Sequence, residues 1–231
     1  MQHFLSILKQ YWGYDQFRPL QADIIQSIAN GNDTLGLMPT GGGKSLTFQV
    51  PAMAMEGVCV VVTPLIALMK DQVENLKSRN IRAAAIYSGM SNDEILTTLD
   101  NCVYEAYKFL YVSPERLSTS IFIEKIKQTK VCIIAVDESH CISQWGYDFR
   151  PSYLRIADIR EVLPGVPVLA LTATATPQVV DDIQDKLHFS KKNVFQKSFL
   201  RSNLAYVVRI TENKDEQLLK ILNNVQGTSV V

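Results

Sequence analysis

The chain has 231 residues, 47% of them hydrophobic, and its 23 basic and 23 acidic side chains give a formal net charge of zero at pH 7. This composition predicts a globular protein with a full core and gives no sign of a polyanion-binding surface, so any nucleic-acid contact would be local. The sequence contains no apolar run long enough to cross a membrane and no signal-peptide pattern. We therefore expect a soluble, cytoplasmic protein that does not bind a membrane.

Apolar runs rich in β-branched residues alternate with stretches of helical spacing along most of the chain. The predicted strands are 34–38, 58–63, 83–87, 109–112, 131–136 and 166–171, and the predicted helices are 65–79, 92–101, 153–163 and 177–187. A further helix should follow Lys44, and Pro51 should kink or end it. This alternation predicts an α/β fold with a doubly wound, mostly parallel sheet and helices on both faces.

The pattern changes near the C-terminal end of the chain. After a polar stretch at 188–193, a new strand, helix and strand are predicted at 204–210, 215–223 and 228–231. We therefore expect a first domain over residues 1–202, and in residues 203–231 the beginning of a second domain that is truncated.

A glycine-rich segment, Met38-Pro39-Thr40-Gly41-Gly42-Gly43-Lys44-Ser45, follows the first predicted strand. Glycines there let successive backbone N–H groups surround phosphate oxygens, while Lys44 adds positive charge and the Ser45 hydroxyl can reach Mg²⁺. The usual phosphate-binding pattern has glycine in place of Met38, and a bare glycine triplet is more often a flexible turn. Because Lys-Ser and a helix follow, we interpret residues 40–45 as an ATP site.

The acidic segment Asp137-Glu138-Ser139-His140 follows a predicted strand that is apolar on both faces, as central strands of parallel sheets are. Acidic pairs commonly lie on solvated surfaces, but the carboxyl end of such a strand is where ligands of open α/β sheets bind. We predict that Asp137 and Ser45 bind the same Mg²⁺, and that Glu138 orients and deprotonates the attacking water.

The four cysteines, Cys59, Cys102, Cys132 and Cys141, include no Cys-x-x-Cys pair. We expect reduced thiols in the core or in loops, and no metal site built from them.

These and further segments resemble the ordered motifs of the RecQ family of ATP-dependent DNA helicases, which belongs to superfamily 2. The matching segments are 14–21 (adenine recognition), 38–45 (motif I), 62–65 (Ia), 111–117 (Ib), 137–140 (II), 171–176 (III) and 141–151, the aromatic-rich loop that distinguishes RecQ-like proteins. The resemblance implies a RecA-like P-loop NTPase domain and the start of a second one. Ser139 stands where most members have alanine, and motifs IV to VI, with an arginine finger, would follow Val231.

The resemblance also implies roles for single residues. Tyr14 and Arg18 would pack on the two faces of the adenine, and Gln21 would bond to its edge, although the start of an amphipathic helix would look similar. His140 and Gln144 would carry a signal between the aromatic-rich loop and the ATP site, whereas His140 taken alone could be a core histidine.

Trp145, Tyr147 and Phe149 alternate in a loop that suits stacking on unpaired bases, or packing onto a core. The resemblance places Trp145, Phe149 and Arg150 on single-stranded DNA, Thr63, Ser113 and Arg116 on its phosphates, and Thr172 and Thr174 between the ATP and DNA sites. Ordinary turns and helix caps would explain the hydroxyl residues equally simply.

The leading interpretation is the first motor domain of a RecQ-like helicase, in which hydrolysis of the ATP β–γ bond drives 3′ to 5′ movement on single-stranded DNA and unwinding at duplex junctions during repair and recombination. The 231 residues by themselves should bind ATP, hydrolyse it poorly and not unwind DNA. A bacterial member would be nucleoid-associated, and single-strand-binding protein is a candidate partner.

Three alternatives stay open. The nearest is an RNA-directed superfamily 2 ATPase. A P-loop kinase or small-molecule ATPase would leave the Gln21 motif and the aromatic loop unexplained, and a non-catalytic nucleotide switch would have no use for Glu138.

Overall fold

The computed structural model describes residues 1–196, 205, 207–225 and 227–229. The chain divides into two compact units, Met1–Lys197 and Ser198–Val231. No helix in the described part of the chain is both long and apolar enough to span a bilayer.

The strands described in the first unit form one open sheet in which every neighbouring pair is parallel. They are β1 Thr34–Leu37, β2 Val58–Val62, β3 Ala83–Ile86, β4 Phe109–Val112, β5 Val131–Val136, β6 Val168–Thr172 and β7 Val194–Gln196, in the order β3-β4-β2-β5-β6-β1-β7. Six of these seven strands are predicted correctly to within two residues. The exception, β7, is a short edge strand without an apolar run.

Eight α-helices are described in the same unit: α1 Gln2–Trp12, α2 Gln21–Ala29, α3 Leu46–Ala54, α4 Ile66–Lys77, α5 Asn92–Val103, α6 Ser120–Gln128, α7 Ile156–Val162 and α8 Pro177–Lys186. Short 3₁₀ helices cover Pro114–Arg116, Ser139–Ile142 and Pro151–Arg155. The predicted helix 153–163 is therefore wrong in its first turn, which is 3₁₀ and starts at Pro151. Helix α3 contains Pro51 and ends soon after it, at Ala54.

Helices cover both faces of the sheet, which explains why its central strands are apolar without alternation. Val58, Val60 and Val62 of β2 pack into one core cluster, and Cys59 and Val61 of the same strand pack into another. Each fully buried valine or isoleucine contributes roughly 1.5–3 kcal/mol. The doubly wound α/β prediction is confirmed.

Three connections leave the carboxyl edge of this sheet side by side, because β6 lies between β1 and β5. Leu37 is paired with Thr172, and Val136 with Ala170. The Met38 N–H donates to the Thr172 carbonyl at 3.0 Å. The glycine-rich turn and the acidic segment, which are far apart in sequence, therefore meet at one edge, as the open-sheet rule requires.

The second unit contains α9, Lys214–Asn224, whose first turn is capped by the Asn213 side chain. The predicted helix 215–223 is confirmed. Of the predicted strand 204–210, residues 204 and 206 lie outside the described residues and the others adopt no strand. Residues 230 and 231 also lie outside them, and 228–229 are not in a strand. The assignment of a second RecA-like domain stays a prediction.

Candidate nucleotide site and aromatic segment

The glycine-rich turn after β1 has a backbone that only glycine adopts without strain. Gly41 and Gly43 have φ angles of 75° and 76°. At Gly43 a Cβ atom would also lie 2.4 Å from Nε2 of Gln21. Helix α3 begins at Leu46, directly after Ser45, so its N-terminus lies next to the turn. The N–H groups of Leu46 and Thr47 donate to the Gly43 and Lys44 carbonyls at 3.2 and 3.0 Å, which joins the helix to the turn. A turn and a helix N-terminus together favour a bound anion.

A cavity of about 880 Å³ extends from this turn to the carboxyl end of β5. Predicted site residues that line it are Tyr14, Arg18, Gln21, Gly41, Gly43, Lys44, Ser45, Asp137 and Glu138. Its volume suits a small-molecule ligand of nucleotide size. Gly42 and the exposed Thr40 belong to the same turn but do not line the cavity. We call this space the nucleotide cavity.

At one end of the nucleotide cavity, Arg18 and Gln21 are bonded to the glycine-rich turn. Arg18 Nη1 donates to the Gly41 carbonyl at 2.5 Å, and Gln21 Nε2 donates to the Gly43 carbonyl at 3.0 Å. Gln21 Oε1 accepts from the Arg18 N–H at 2.8 Å. Both ends of the Gln21 amide are thus bonded to backbone, while Tyr14 is half exposed. The adenine contacts stay a prediction.

At the other end, Asp137 is fixed by its backbone. Its N–H donates to the Val62 carbonyl at 2.9 Å, and its own carbonyl accepts from the Tyr153 hydroxyl at 3.0 Å. Burial, with the charge of Glu138 as a second cause, raises the pKa of the Asp137 carboxyl to about 6. A carboxylate destabilised in this way, near the Lys44 cation and the Ser45 hydroxyl, fits a bound Mg²⁺.

The hydrogen bond from Tyr153 to the Asp137 carbonyl was not predicted from the sequence. Tyr153 is fully buried in the 3₁₀ helix Pro151–Arg155, and only the fold brings its hydroxyl to the Asp137 carbonyl. No local pattern distinguishes it from any other core tyrosine.

Glu138 connects the nucleotide cavity to His140. Its φ angle of 48° is left-handed, an uncommon conformation for a residue other than glycine and one concentrated at functional sites. Glu138 Oε2 lies 3.4 Å from Nδ1 of the buried His140, and the same nitrogen is 2.9 Å from Oγ1 of Thr172. Burial lowers the pKa of His140, so the imidazole is neutral near pH 7. The predicted residues Glu138, His140 and Thr172 are therefore in contact, whereas Thr174 and Gln144 are exposed.

Residues 141–151, which we call the aromatic segment, follow directly. The Tyr147 ring stacks on His140 with ring centroids 4.4 Å apart, yet Tyr147 is 77% exposed and Trp145 is 67% exposed. A Cβ at Gly146 would lie 2.6 Å from the His140 carbonyl oxygen, so this close turn requires glycine. Two aromatic side chains are thus held at the surface close to Glu138, which lines the nucleotide cavity.

The other two predicted DNA contacts of the aromatic segment are partly covered. Phe149 faces α8, where Lys186 Nζ lies 5.9 Å from its ring centroid. Arg150 donates through Nε and Nη2 to Oδ2 of Asp148 at 3.1 and 3.0 Å.

Thr63 and Ser113 follow the neighbouring strands β2 and β4, and each is only 2% exposed. Neither hydroxyl has a hydrogen-bond partner among the described residues. Contact between these hydroxyls and a phosphate would require the covering atoms to move. Arg116 donates to the Tyr87 carbonyl at 3.4 Å. The role of these three residues stays a prediction.

Residues 18–183 match the model of the DEAD/DEAH box helicase family. The chain belongs to this family. It is 46% identical over 95% of its length to the ATP-dependent DNA helicase RecQ of Bacillus subtilis. It is also 38% identical over 98% of its length to the putative ATP-dependent RNA helicase R290 of Acanthamoeba polyphaga mimivirus. The chain spans 37% and 41% of the lengths of these relatives.

The fold is similar to that of Mycobacterium smegmatis helicase Lhr, solved bound to ssDNA and AMP-PNP. The TM-score is 0.63 at 19% identity, over 82% of this chain and 27% of that one. The RecA-like fold and the resemblance to RecQ proteins are thereby confirmed.

Proposed function

We propose that this chain is the ATP-binding part of a RecQ-type DNA helicase that couples hydrolysis of ATP to 3′ to 5′ movement on single-stranded DNA and to unwinding of duplex junctions in repair and recombination. The observation that carries the proposal is the chain of contacts from Glu138 through His140 to Tyr147. It joins the nucleotide cavity to an exposed aromatic surface over two side-chain contacts.

In the nucleotide cavity, N–H groups of the glycine-rich turn would hold phosphate oxygens, the dipole of the adjoining α3 N-terminus would favour their negative charge, and Lys44 would neutralise it. Ser45 and Asp137 would hold Mg²⁺, which supplies charge stabilisation during phosphoryl transfer. Glu138 lines the same cavity and would orient a water and accept its proton. The backbone of Glu138 is held in place by its N–H, which donates to Asp137 Oδ1 at 3.0 Å, and by its carbonyl, which accepts from the Cys141 N–H at 2.9 Å.

The neutral His140 would couple DNA binding to ATP hydrolysis. Its Nδ1 faces the Glu138 carboxylate and the Thr172 hydroxyl, and its ring face is covered by Tyr147. Bases that stack on Trp145 or Tyr147 would move the Tyr147 ring, and with it the imidazole that touches Glu138. DNA binding would in this way change the position of the general base.

Single-stranded DNA is favoured over a small-molecule substrate because the exposed aromatic surface has no role in a kinase. Stacking contributes roughly 1–3 kcal/mol for each base and tolerates any sequence. RNA is the second candidate, since one of the similar relatives is named as an RNA helicase.

The test compares Trp145→Ala with Tyr104→Ala. Tyr104 is a matched control because it is also an exposed aromatic residue, but it precedes β4 and so lies at the amino ends of the strands, away from the aromatic segment. Affinity of the chain for labelled single-stranded DNA should fall roughly 5- to 100-fold for Trp145→Ala and stay unchanged for Tyr104→Ala. ATP binding should be equal in both variants.

A longer protein that contains this chain should hydrolyse ATP faster with single-stranded DNA than with RNA of the same sequence. The 231 residues by themselves should bind ATP and show no unwinding. Equal stimulation by RNA would favour the RNA-directed ATPase, and no stimulation by either polymer would contradict the proposal.

A further inference from the structure

A mixed cluster of metal-ligating side chains lies beside the nucleotide cavity, on His140, Cys141 and Asp148. One ligand atom from each residue lies within 4.8 Å of the other two. Cys141 Sγ is 3.7 Å from Nε2 of His140 and 3.7 Å from Oδ2 of Asp148. The cluster does not include Asp137 or Ser45, the predicted Mg²⁺ ligands.

These distances match the ligand spacing of a tetrahedral metal site. Ligand atoms at about 2.0–2.3 Å from Zn²⁺ lie roughly 3.3–3.7 Å from one another. Cys141 Sγ already has this spacing to both partners. Only the gap between His140 and Asp148 needs to close, and Asp148 can move because its side chain is 44% exposed.

The surroundings of His140 support metal binding at Nε2. Its Nδ1 faces two oxygen atoms, Glu138 Oε2 at 3.4 Å and Thr172 Oγ1 at 2.9 Å. The Thr172 hydroxyl donates to the Thr174 carbonyl, so both oxygens can accept from Nδ1. In the tautomer that these oxygens favour, the proton is on Nδ1 and the Nε2 lone pair faces Cys141, 3.7 Å away. A histidine held by a carboxylate behind it is the common arrangement around protein-bound zinc.

We propose that His140, Cys141 and Asp148 form a binding site for a divalent cation of the Zn²⁺ class. Thiolate and imidazole ligands select such an ion over Mg²⁺, which prefers oxygen. Nε2, Sγ and a carboxylate oxygen of Asp148 are the protein ligands, and solvent fills the fourth position. Arg150, which here donates to the same Oδ2 atom that lies near Cys141, would shift to Oδ1 when the ion binds. On binding, the Cys141 thiol releases its proton to solvent.

An ion at this site would restrain the aromatic segment. Its ligands lie on both sides of Trp145 and Tyr147 in the sequence, so the intervening turn would be closed by metal bonds. The helicase proposal plays no part in the binding itself, which can be measured without nucleotide or DNA.

The test uses Co²⁺ as a spectroscopic substitute for Zn²⁺, with the 231-residue chain in excess Mg²⁺. We expect a thiolate-to-cobalt charge-transfer band that saturates at one equivalent and is reversed by Zn²⁺. Cys141→Ala should abolish the band. Cys102→Ala, at another buried free cysteine, should leave it intact.

Asp148→Asn provides a variant at a side chain that is half exposed, so the fold should be kept. Its Zn²⁺ affinity, measured by competition with a chelating dye, should fall at least about tenfold. In a Trp12→Phe background, the fluorescence anisotropy of Trp145 should rise with Zn²⁺, and this rise should be lost in Asp148→Asn. Absence of the cobalt band, its persistence in Cys141→Ala, or unchanged Zn²⁺ affinity in Asp148→Asn would overturn the proposal.

Discussion

The nucleotide cavity and the aromatic segment both lie near the carboxyl end of β5, but different contacts hold them in place. The cavity is built from backbone: a turn with left-handed glycines, the start of α3 and the ends of buried strands. The aromatic segment lies outside the sheet and is held by a few backbone hydrogen bonds, among them Arg150 N–H to the Cys141 carbonyl at 2.8 Å, and by the side-chain contacts of Tyr147 with His140 and of Arg150 with Asp148. Backbone fixed by a sheet is preorganised for a constant ligand, whereas a loop outside the sheet has fewer contacts to break when it rearranges.

The difference also appears in exposure. Asp137 and Glu138 are half-buried, while Trp145 and Tyr147 present most of their surface to solvent. Fixed dipoles in a site of low dielectric constant stabilise the charge that develops during phosphoryl transfer. Stacking on successive bases requires accessible rings. His140 belongs to both regions, since it touches Glu138 and Tyr147.

The largest expected effect is a loss of ATP affinity that leaves the affinity for single-stranded DNA unchanged. Lys44→Ala removes the positive charge of the glycine-rich turn and should weaken ATP binding by about 100-fold or more, because a charged hydrogen bond contributes up to roughly 3 kcal/mol. Affinity for single-stranded DNA, measured on the same preparation, should stay unchanged. Lys127→Ala, at an exposed lysine of α6, is the control. Equal loss of both affinities would show that the regions are not separable.

Asp137→Asn tests how far the buried charge of Asp137 in the nucleotide cavity lowers the stability of the folded protein. The pKa of Asp137 is about 6 in the folded protein against an ordinary value of 3.8. The folded state therefore binds the proton more tightly than the unfolded state, and the charge destabilises the fold fully above about pH 6 and not below pH 3.8.

Without Mg²⁺, Asp137→Asn should therefore raise the free energy of unfolding at pH 7 by up to roughly 3 kcal/mol. This gain in the free energy of unfolding should disappear near pH 4. Urea unfolding of both proteins at pH 7 and pH 4 measures the gain, and a gain of equal size at the two pH values would contradict the raised pKa of Asp137.

The smallest effect concerns Ser139, between the two regions. This residue is fully buried, and its hydroxyl has no hydrogen-bond partner among the described residues. Ser139→Ala should leave stability unchanged or raise it by about 1 kcal/mol, because a buried unpaired hydroxyl is unfavourable.

Ser143→Ala is the matched contrast. Ser143 is equally buried, but its Oγ accepts from the Trp145 N–H at 3.2 Å. Its removal should cost about 1 kcal/mol. Thermal unfolding of the two variants measures the difference, and a loss in Ser139→Ala as large as that in Ser143→Ala would show that Ser139 has a partner.

The sequence predicted the parts of the fold that depend on local pattern. Runs such as 131–136, apolar on both faces, can be accommodated only inside a covered parallel sheet, and the glycines before Lys44 are required by the backbone of one turn. Asp137 and Glu138 were placed correctly because the carboxyl end of a strand has a fixed position in such a sheet. The edge strand β7 was not predicted, because it lacks an apolar run.

Contacts between distant side chains were decided only by the tertiary structure. The Tyr153 hydroxyl on the Asp137 carbonyl and the burial of Thr63 and Ser113 have no local signature. The approach of Asp148 to Cys141 has no local signature either, because it depends on the close turn at Gly146. Periodicity specifies which face of an element is buried, because that depends on near neighbours in the chain. Which side chains meet depends on strand order and on how a loop closes, and those are properties of the whole fold.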